Sequence, residues 1–246
     1  MTDLMVSVHQ PNFMPWLKLL DKILASDVYV AYDTAQFTKT EYHARQKVMT
    51  PSKPVWMTVP VLSTGDYQPI QDVQIDNKQP FRRQHLHRLR KAYDSTPYFD
   101  EVYGLVDQVY AGGHEQLVDL NLDLIEALRA YLDAPVRIVR ASTLPHEGDR
   151  TERLLQLVRA VGGSEHLTST YGGGQDVVWE RFDQAGIGIV EQLFEHPEYD
   201  QVGPDFVRNL AAIDMLFTHG RETGEILALR RSLVPVAPAL QGAAPR

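Results

Sequence analysis

His9, Gln10 and Asn12 stand almost side by side in the run Val6-Ser7-Val8-His9-Gln10-Pro11-Asn12-Phe13-Met14-Pro15-Trp16. An imidazole can take up a proton near neutral pH, and a carboxamide can donate a hydrogen bond to an oxygen on which negative charge develops. A base flanked by such donors suits a reaction that strips a proton from an amine or hydroxyl while an oxyanion is held. The chain has no cysteine, which excludes thiolate nucleophiles, disulfides, iron–sulfur clusters and cysteine-ligated zinc. Any chemistry must come from His, carboxylates, Lys, Tyr, Ser or Thr. The plain alternative is a core histidine followed by an ordinary turn.

The elements that would position these groups can be read outward from them. Val6 and Val8 suit a short buried strand, and Pro11 and Pro15 forbid its continuation. Leu17, Leu19, Leu20, Ile23 and Leu24 then recur with helical spacing, interleaved with Lys18, Asp21 and Lys22. Asp27 to Asp33 reads as a second strand, so a strand, helix, strand unit with a right-handed parallel crossover is expected. That topology puts His9 and Asp33 at neighbouring strand ends, the edge at which open α/β sheets bind ligands.

Thr34 to Pro54 lacks a strong period but carries Gln36, Lys39, Tyr42, His43, Arg45 and Lys47, which favours an ordered binding loop. Strands are expected at Val55 to Val61 and Ile70 to Asp76, separated by a turn at Ser63-Thr64-Gly65-Asp66. Amphipathic helices follow at Phe81 to Tyr93, Tyr98 to Tyr110 and Glu115 to Leu132, then a strand at Pro135 to Arg140 and a helix at Thr151 to Ala160. Glu165 to Thr170 reads as a strand feeding Tyr171-Gly172-Gly173-Gly174, where a backbone cradle and a hinge are equally good readings. A helix from about Gln175 to Ala185, a strand from Ile187 to Leu193 and a helix from Phe206 to His219 complete the series. The expected fold is one α/β domain, residues 1–232, with a mostly parallel sheet flanked by helices. It has a helical insertion at about 80–132, a helical C-terminal portion, and a loose Pro/Ala/Gly tail over 233–246.

With 246 residues, 43% apolar and 23% charged, the chain has the composition of a globular domain with a sizeable core. Its net charge of −8 argues against a general nucleic-acid binder. The first third is nevertheless locally basic: Phe37 to Ala92 holds ten lysines and arginines against four acidic residues. That face would suit a phosphorylated substrate, a nucleotide or a carrier, or it is simply solvated. His85, His87, His114 and His146 lack metal-ligand spacing, and no metal site is expected. No basic leader precedes a long apolar run and no membrane span is evident, so a cytoplasmic protein is expected.

The order of residues adds a further reading. His9-Gln10-Pro11-Asn12-x-x-Pro15-Trp16, Asp33-x-x-Gln36-x-x-Lys39, Arg45 and Trp56-x-Thr58-Val59-Pro60 resemble the WbqC-like protein family. The likeness continues through His85, Tyr93, Pro97 and Phe99 to Pro197-x-Tyr199-x-Gln201 and Ala212-Ile213-Asp214-x-Leu216-Phe217-x-x-Gly220. The chain departs from the family pattern at His166 to Tyr171, where a Tyr-Leu-Ser-Gly type strand end is usual, and at His219, which stands where Asn is common.

The resemblance implies a place in glycoconjugate or natural-product assembly, with a glycine-transferase type of activity. The corresponding expectation is an acyl transferase that moves a small aminoacyl group onto an amine of a sugar or small metabolite. His9 would be the base and Asp33 its orienting carboxylate. Gln10, Asn12 and the backbone from Tyr171 to Gly174 would hold the oxyanion or substrate. Gln36 would bind substrate, while Lys39, Arg45 and Lys47 would clamp an anionic activated donor. Tyr199, Gln201 and Asp214 would place the amine acceptor. No resident cofactor is required; ATP or an activated aminoacyl donor, with tRNA or a carrier as its source, would supply activation. Two alternatives stand beside it: an ATP-dependent nucleotidylyltransferase-like or adenylate-forming ligase, and a noncatalytic ligand-binding module.

Overall fold

A computed structural model describes residues 3–62, 67–169 and 177–236. In chain order the elements that frame the site begin with β1 (Met5–His9), α1 (Leu17–Leu24) and β2 (Val28–Ala31). Next come β3 (Arg45–Val48), β4 (Val55–Thr58) and the three helices α2 (Phe81–Tyr93), α3 (Phe99–Ala111) and α4 (Leu117–Tyr131). Then follow β5 (Arg137–Arg140), α5 (Arg150–Ala160), β6 (Glu165–Thr168), α6 (Glu180–Gln184) and β7 (Gly188–Phe194). The last described elements are α7 (Ile213–His219), α8 (Glu222–Leu229) and β8 (Arg231–Val236).

Six strands form one sheet in the order β5-β2-β1-β6-β7-β8, parallel throughout except for β8, which runs antiparallel to β7. The α/β class with a mostly parallel, helix-flanked sheet is thus observed. From β1 the chain winds outward through β2 to β5, then returns to place β6 on the other side of β1. The strand order reverses between β1 and β6, so the carboxyl ends of these two strands diverge into a crevice.

Side-chain alternation explains the layers. Val6, Val8, Val28 and Val30 pack with Leu155, Leu157, Val158 and Phe182 of α5 and α6. On the opposite face Tyr29 and Ala31 meet Leu19 and Ile23 of α1 and Ile125 of α4. The largest cluster lies beyond α1, where Phe13, Met14, Leu17 and Leu20 join the β3–β4 hairpin, α2 to α4 and α7. Asp21 and Lys22 of α1 are buried too, Asp21 against Gln192 of β7 and Arg231 of β8.

Several segments differ from the sequence expectation. Ile70 to Asp76 is a 3-10 turn at Ile70–Asp72 followed by isolated bridges rather than a strand, because Val61 and Gln116 each offer it a single residue of pairing. Arg45–Val48 is a strand: its polar Arg45 and Lys47 alternate with buried Gln46 and Val48 on an antiparallel partner. The last long helix begins at Ile213 instead of Phe206, since Asn209 has a left-handed φ of 61° that no helix accommodates. Leu233 to Val236, read as loose tail, belongs to β8 and covers the β7 edge. The turn at 63–66, the glycine run and residues 237–246 lie outside the described residues.

Candidate functional site

A cavity of about 520 Å³ occupies the crevice at the β1 and β6 strand ends. Its lining includes His9 and Gln10 from β1 and the following turn, Lys18 and Lys22 from α1, Arg150 and Arg153 from α5, and His166, Thr168 and Ser169 from β6 and just beyond. Trp16 and Trp179 contribute apolar walls, and Gln36 and Tyr67 stand at the lining as well. Among the described residues the lining contains no carboxylate. Such a basket of fixed positive charge favours an anion.

His9 ends β1 on the α1 side, and its ring is fixed from two directions. Its Nδ1 lies 2.9 Å from the Gln10 carbonyl, which can only accept, so the proton sits on Nδ1. The Trp16 ring meets the imidazole edge-on at 6.0 Å. No described residue hydrogen-bonds Nε2, whose lone pair is left for a ligand. Burial, then the charge of Lys22, lowers the imidazole from the usual 6.5 to about 3, so His9 is neutral at physiological pH.

Gln10 is set by a relay from the next loop. The Thr38 N–H donates to His43 Nδ1 at 3.1 Å, which places the His43 proton on Nε2, where it donates to Gln10 Oε1 at 3.0 Å. With its carbonyl end held by His43, Gln10 stands at the cavity lining with its amide N–H groups as its remaining side-chain donors. His43 is itself kept neutral by burial, which lowers it to about 4.

Lys22 is 6% exposed and makes no ion pair with any described residue. The adjacent Asp21 cannot serve it. Asp21 accepts Arg231 on Oδ1 at 2.8 Å and Gln192 on Oδ2 at 2.6 Å. Burial, then the nearby Lys18 charge, lowers the Lys22 ammonium from 10.5 to about 8. His166 is 3% exposed, stacks on Phe182 at 5.4 Å and leaves Nδ1 without a hydrogen bond. Burial and then Lys22 bring it to about 3, against the opposing influence of the Val6 backbone. The Nε of Arg153 is likewise buried and unpartnered.

The structure divides the residues expected from sequence. His9, Gln10 and Gln36 line the cavity. Asp33 does not orient His9. It is fully buried and receives Arg140 Nε at 2.9 Å, the Ser142 N–H at 2.8 Å and the Ser142 hydroxyl at 2.7 Å. Its carboxylate ties the end of β2 to β5, while the His9 ring takes its orientation from the Gln10 carbonyl instead. Asn12 is buried away from the cavity lining, with Oδ1 unpartnered.

The expected donor clamp is also elsewhere. Arg45 and Lys47 lie over the Trp56 ring at 4.4 and 5.0 Å on the β3–β4 hairpin, and Lys39 is exposed outside the lining. Tyr199, Gln201 and Asp214 form an internal brace. Buried Asp214 accepts the hydroxyls of Tyr93 and Tyr199, the latter at 2.9 Å, and Gln201 clasps both backbone groups of Val207. None of the three lines the cavity. Tyr171 lies outside the described residues.

In sequence the cations that line the cavity with His9 look like the polar sides of amphipathic helices. Their signal was the four-residue spacing of Lys18 and Lys22 in the first crossover helix, whose opening turns must lie beside the β1 carboxyl end. Arg150, Arg153, His166 and Trp179 carried no local pattern. Among the described residues no group of three or more His, Asp or Glu is placed to hold a metal ion, and no helix is long and apolar enough to cross a membrane.

A doubly wound α/β sheet with a cationic, histidine-bearing cavity at its switch point is the class that these features define. The chain belongs to the WbqC-like protein family, whose model matches residues 10–226. It is 27% identical over 226 residues to the uncharacterized protein Rv1507c of Mycobacterium tuberculosis (strain ATCC 25618 / H37Rv), a match spanning 90% of this chain and 96% of the relative. No solved structure matches it.

Proposed function

We propose that the chain is an acyl transferase that forms an amide by passing a small aminoacyl group from an activated donor to an amine. The observation that carries this reading is the cavity-lining His9 imidazole, neutral, fixed through Nδ1–H, with no described residue hydrogen-bonded to its Nε2. In the reaction the amine nitrogen attacks the acyl carbon and a new C–N bond forms. Its surplus proton passes to His9 Nε2, the bond from acyl carbon to the donor oxygen breaks, and the leaving group departs as an anion. Gln10, whose carbonyl end is engaged by His43, offers its amide N–H to the acyl oxygen as charge builds there. An amino sugar or another small amine produced in glycoconjugate or natural-product assembly fits as acceptor.

The test is mass-spectrometric detection of amide product from glycyl and other aminoacyl donors with a panel of amines. His9→Ala should cut turnover by about 10² to 10⁴ while the chain keeps its fold. A His9→Ala protein that turns over at the wild-type rate removes His9 as the base.

The cavity's position at the switch point, and a lining without carboxylates among the described residues, favour a second reading, in which the enzyme activates a carboxylate itself by adenylyl transfer from ATP. Release of pyrophosphate on mixing ATP with amino acids separates the two.

A further inference from the structure

Among the described residues, the positive charge at the cavity is not balanced by a carboxylate. Lys22 is 6% exposed with no counter-charge among the described residues, and the one carboxylate next to it in sequence is consumed by Arg231 and Gln192. Arg153 and His166 line the cavity as well. A buried cation without a counter-charge is costly and is relieved by a ligand that brings negative charge and acceptor oxygens. Lys18 and Arg150 add positive charge from opposite walls. The volume of about 520 Å³ and the aromatic walls at Trp16 and Trp179 leave room for more than a bare anion.

We propose that this cavity binds a phosphate ester of nucleotide size, its phosphate oxygens held by Lys22 and Arg153 and its remainder lying between Trp16 and Trp179. The site was expected on Lys39, Arg45 and Lys47; the residues that hold the phosphate are Lys22 and Arg153. The inference rests on the cavity assigned above to an activated donor, but it concerns binding alone. Four cations line the cavity, and a phosphate ester brings more negative charge and more acceptor oxygens to them than a single carboxylate does.

Titration calorimetry of the full chain with ATP, pyrophosphate and adenosine, in the absence of any acyl acceptor, tests it. ATP should bind saturably, adenosine at least tenfold more weakly, and Lys22→Met and Arg153→Met should each weaken ATP about ten- to hundredfold. Lys91→Met, on the exposed side of α2, serves as the control and should bind like the wild type. Pyrophosphate binding that also depends on Lys22 supports the phosphate contact and shows how much the remainder adds. The proposal is overturned if none of these compounds binds at millimolar concentration, if adenosine binds as tightly as ATP, or if both variants bind ATP as the wild type does. Circular dichroism of the variants guards against misfolding, and removing an unpaired buried charge should not lower stability. Because no product is measured, loss of turnover in His9→Ala with ATP binding intact would bear on the acyl-transfer chemistry and leave this inference standing.

Discussion

Asp33→Asn separates a structural carboxylate from a catalytic one. The side chain has no exposure, and its oxygens receive Arg140 Nε, the Ser142 N–H and the Ser142 hydroxyl, while Arg140 also reaches Asp119 at 2.8 Å. An amide keeps Oδ1 for the Ser142 N–H but turns an NH₂ toward the Arg140 guanidinium, so two donors face each other. The Ser142 hydroxyl can rotate and accept; Arg140 cannot. Breaking a wholly buried pair by altering one member costs about 3–5 kcal/mol. Arg140 is 34% exposed and keeps Asp119, so we discount this to roughly 2–3 kcal/mol. At about 2–4 °C per kcal/mol for a chain of this size, the melting temperature should fall by about 4–12 °C, read by differential scanning calorimetry. ATP titrated at a temperature where both proteins are folded should bind within about twofold of wild type, since Asp33 does not line the cavity. A melting temperature within about 2 °C of wild type, with turnover lost, would refute the reasoning and return Asp33 to the chemistry.

Three other outcomes follow from the same geometry. Lys22→Met should raise the His9 pKa above its value of about 3, because the ammonium is the second cause of its depression after burial; imidazole shifts in an NMR titration report it, and an unchanged midpoint counts against their proximity. His85, 3% exposed, is lowered by burial first to about 4, so between pH 6.5 and 4 the unfolded chain binds a proton that the folded chain refuses. Its contribution to stability is present above pH 6.5 and lost as pH falls through that window, by at most about 1.4 kcal/mol per unit; His85→Gln should flatten the acid limb of melting temperature against pH. Gly220 ends α7 with φ 55° and ψ −135°, and a Cβ there would lie 2.5 Å from the Tyr98 ring, so Gly220→Ala should destabilise by more than about 2 kcal/mol in urea unfolding.

The strand, helix, strand opening was legible because Val6 and Val8 alternate, Pro11 and Pro15 stop the strand, and α1 keeps its apolar period. The place of His9 followed from that topology, since parallel crossovers put strand ends on one edge. Its partners did not follow. Adjacent strand ends bring Cα atoms together but leave open which acceptor a ring nitrogen meets, and the Gln10 carbonyl lies nearer than Asp33 could. Lys22 was hidden because burial of a charged helix residue depends on what packs over the helix, in this case the β1 and β6 strand ends with His9 and His166. Asp214 and Tyr199 were read as binding groups, yet polar residues in an otherwise apolar stretch satisfy one another in the core just as well. β8 escaped notice since Val234 and Val236 alternate with Pro235, a residue tolerated on an edge strand.

The order β5-β2-β1-β6 also sets when the cavity can come into being. Met5, Val6 and Ser7 pair with Glu165, His166 and Leu167, a loop closure spanning most of the chain, while β1, α1 and β2 can associate from neighbouring sequence. On a ribosome, His9 and Lys22 therefore emerge early with one wall of their crevice missing, and a buried-to-be cation stays hydrated until β6 arrives. Desolvation of Lys22 accompanies the docking of β6, so an anion that binds the cavity should favour that step. Refolding of the purified chain should accelerate with added ATP only in the phase that docks β6.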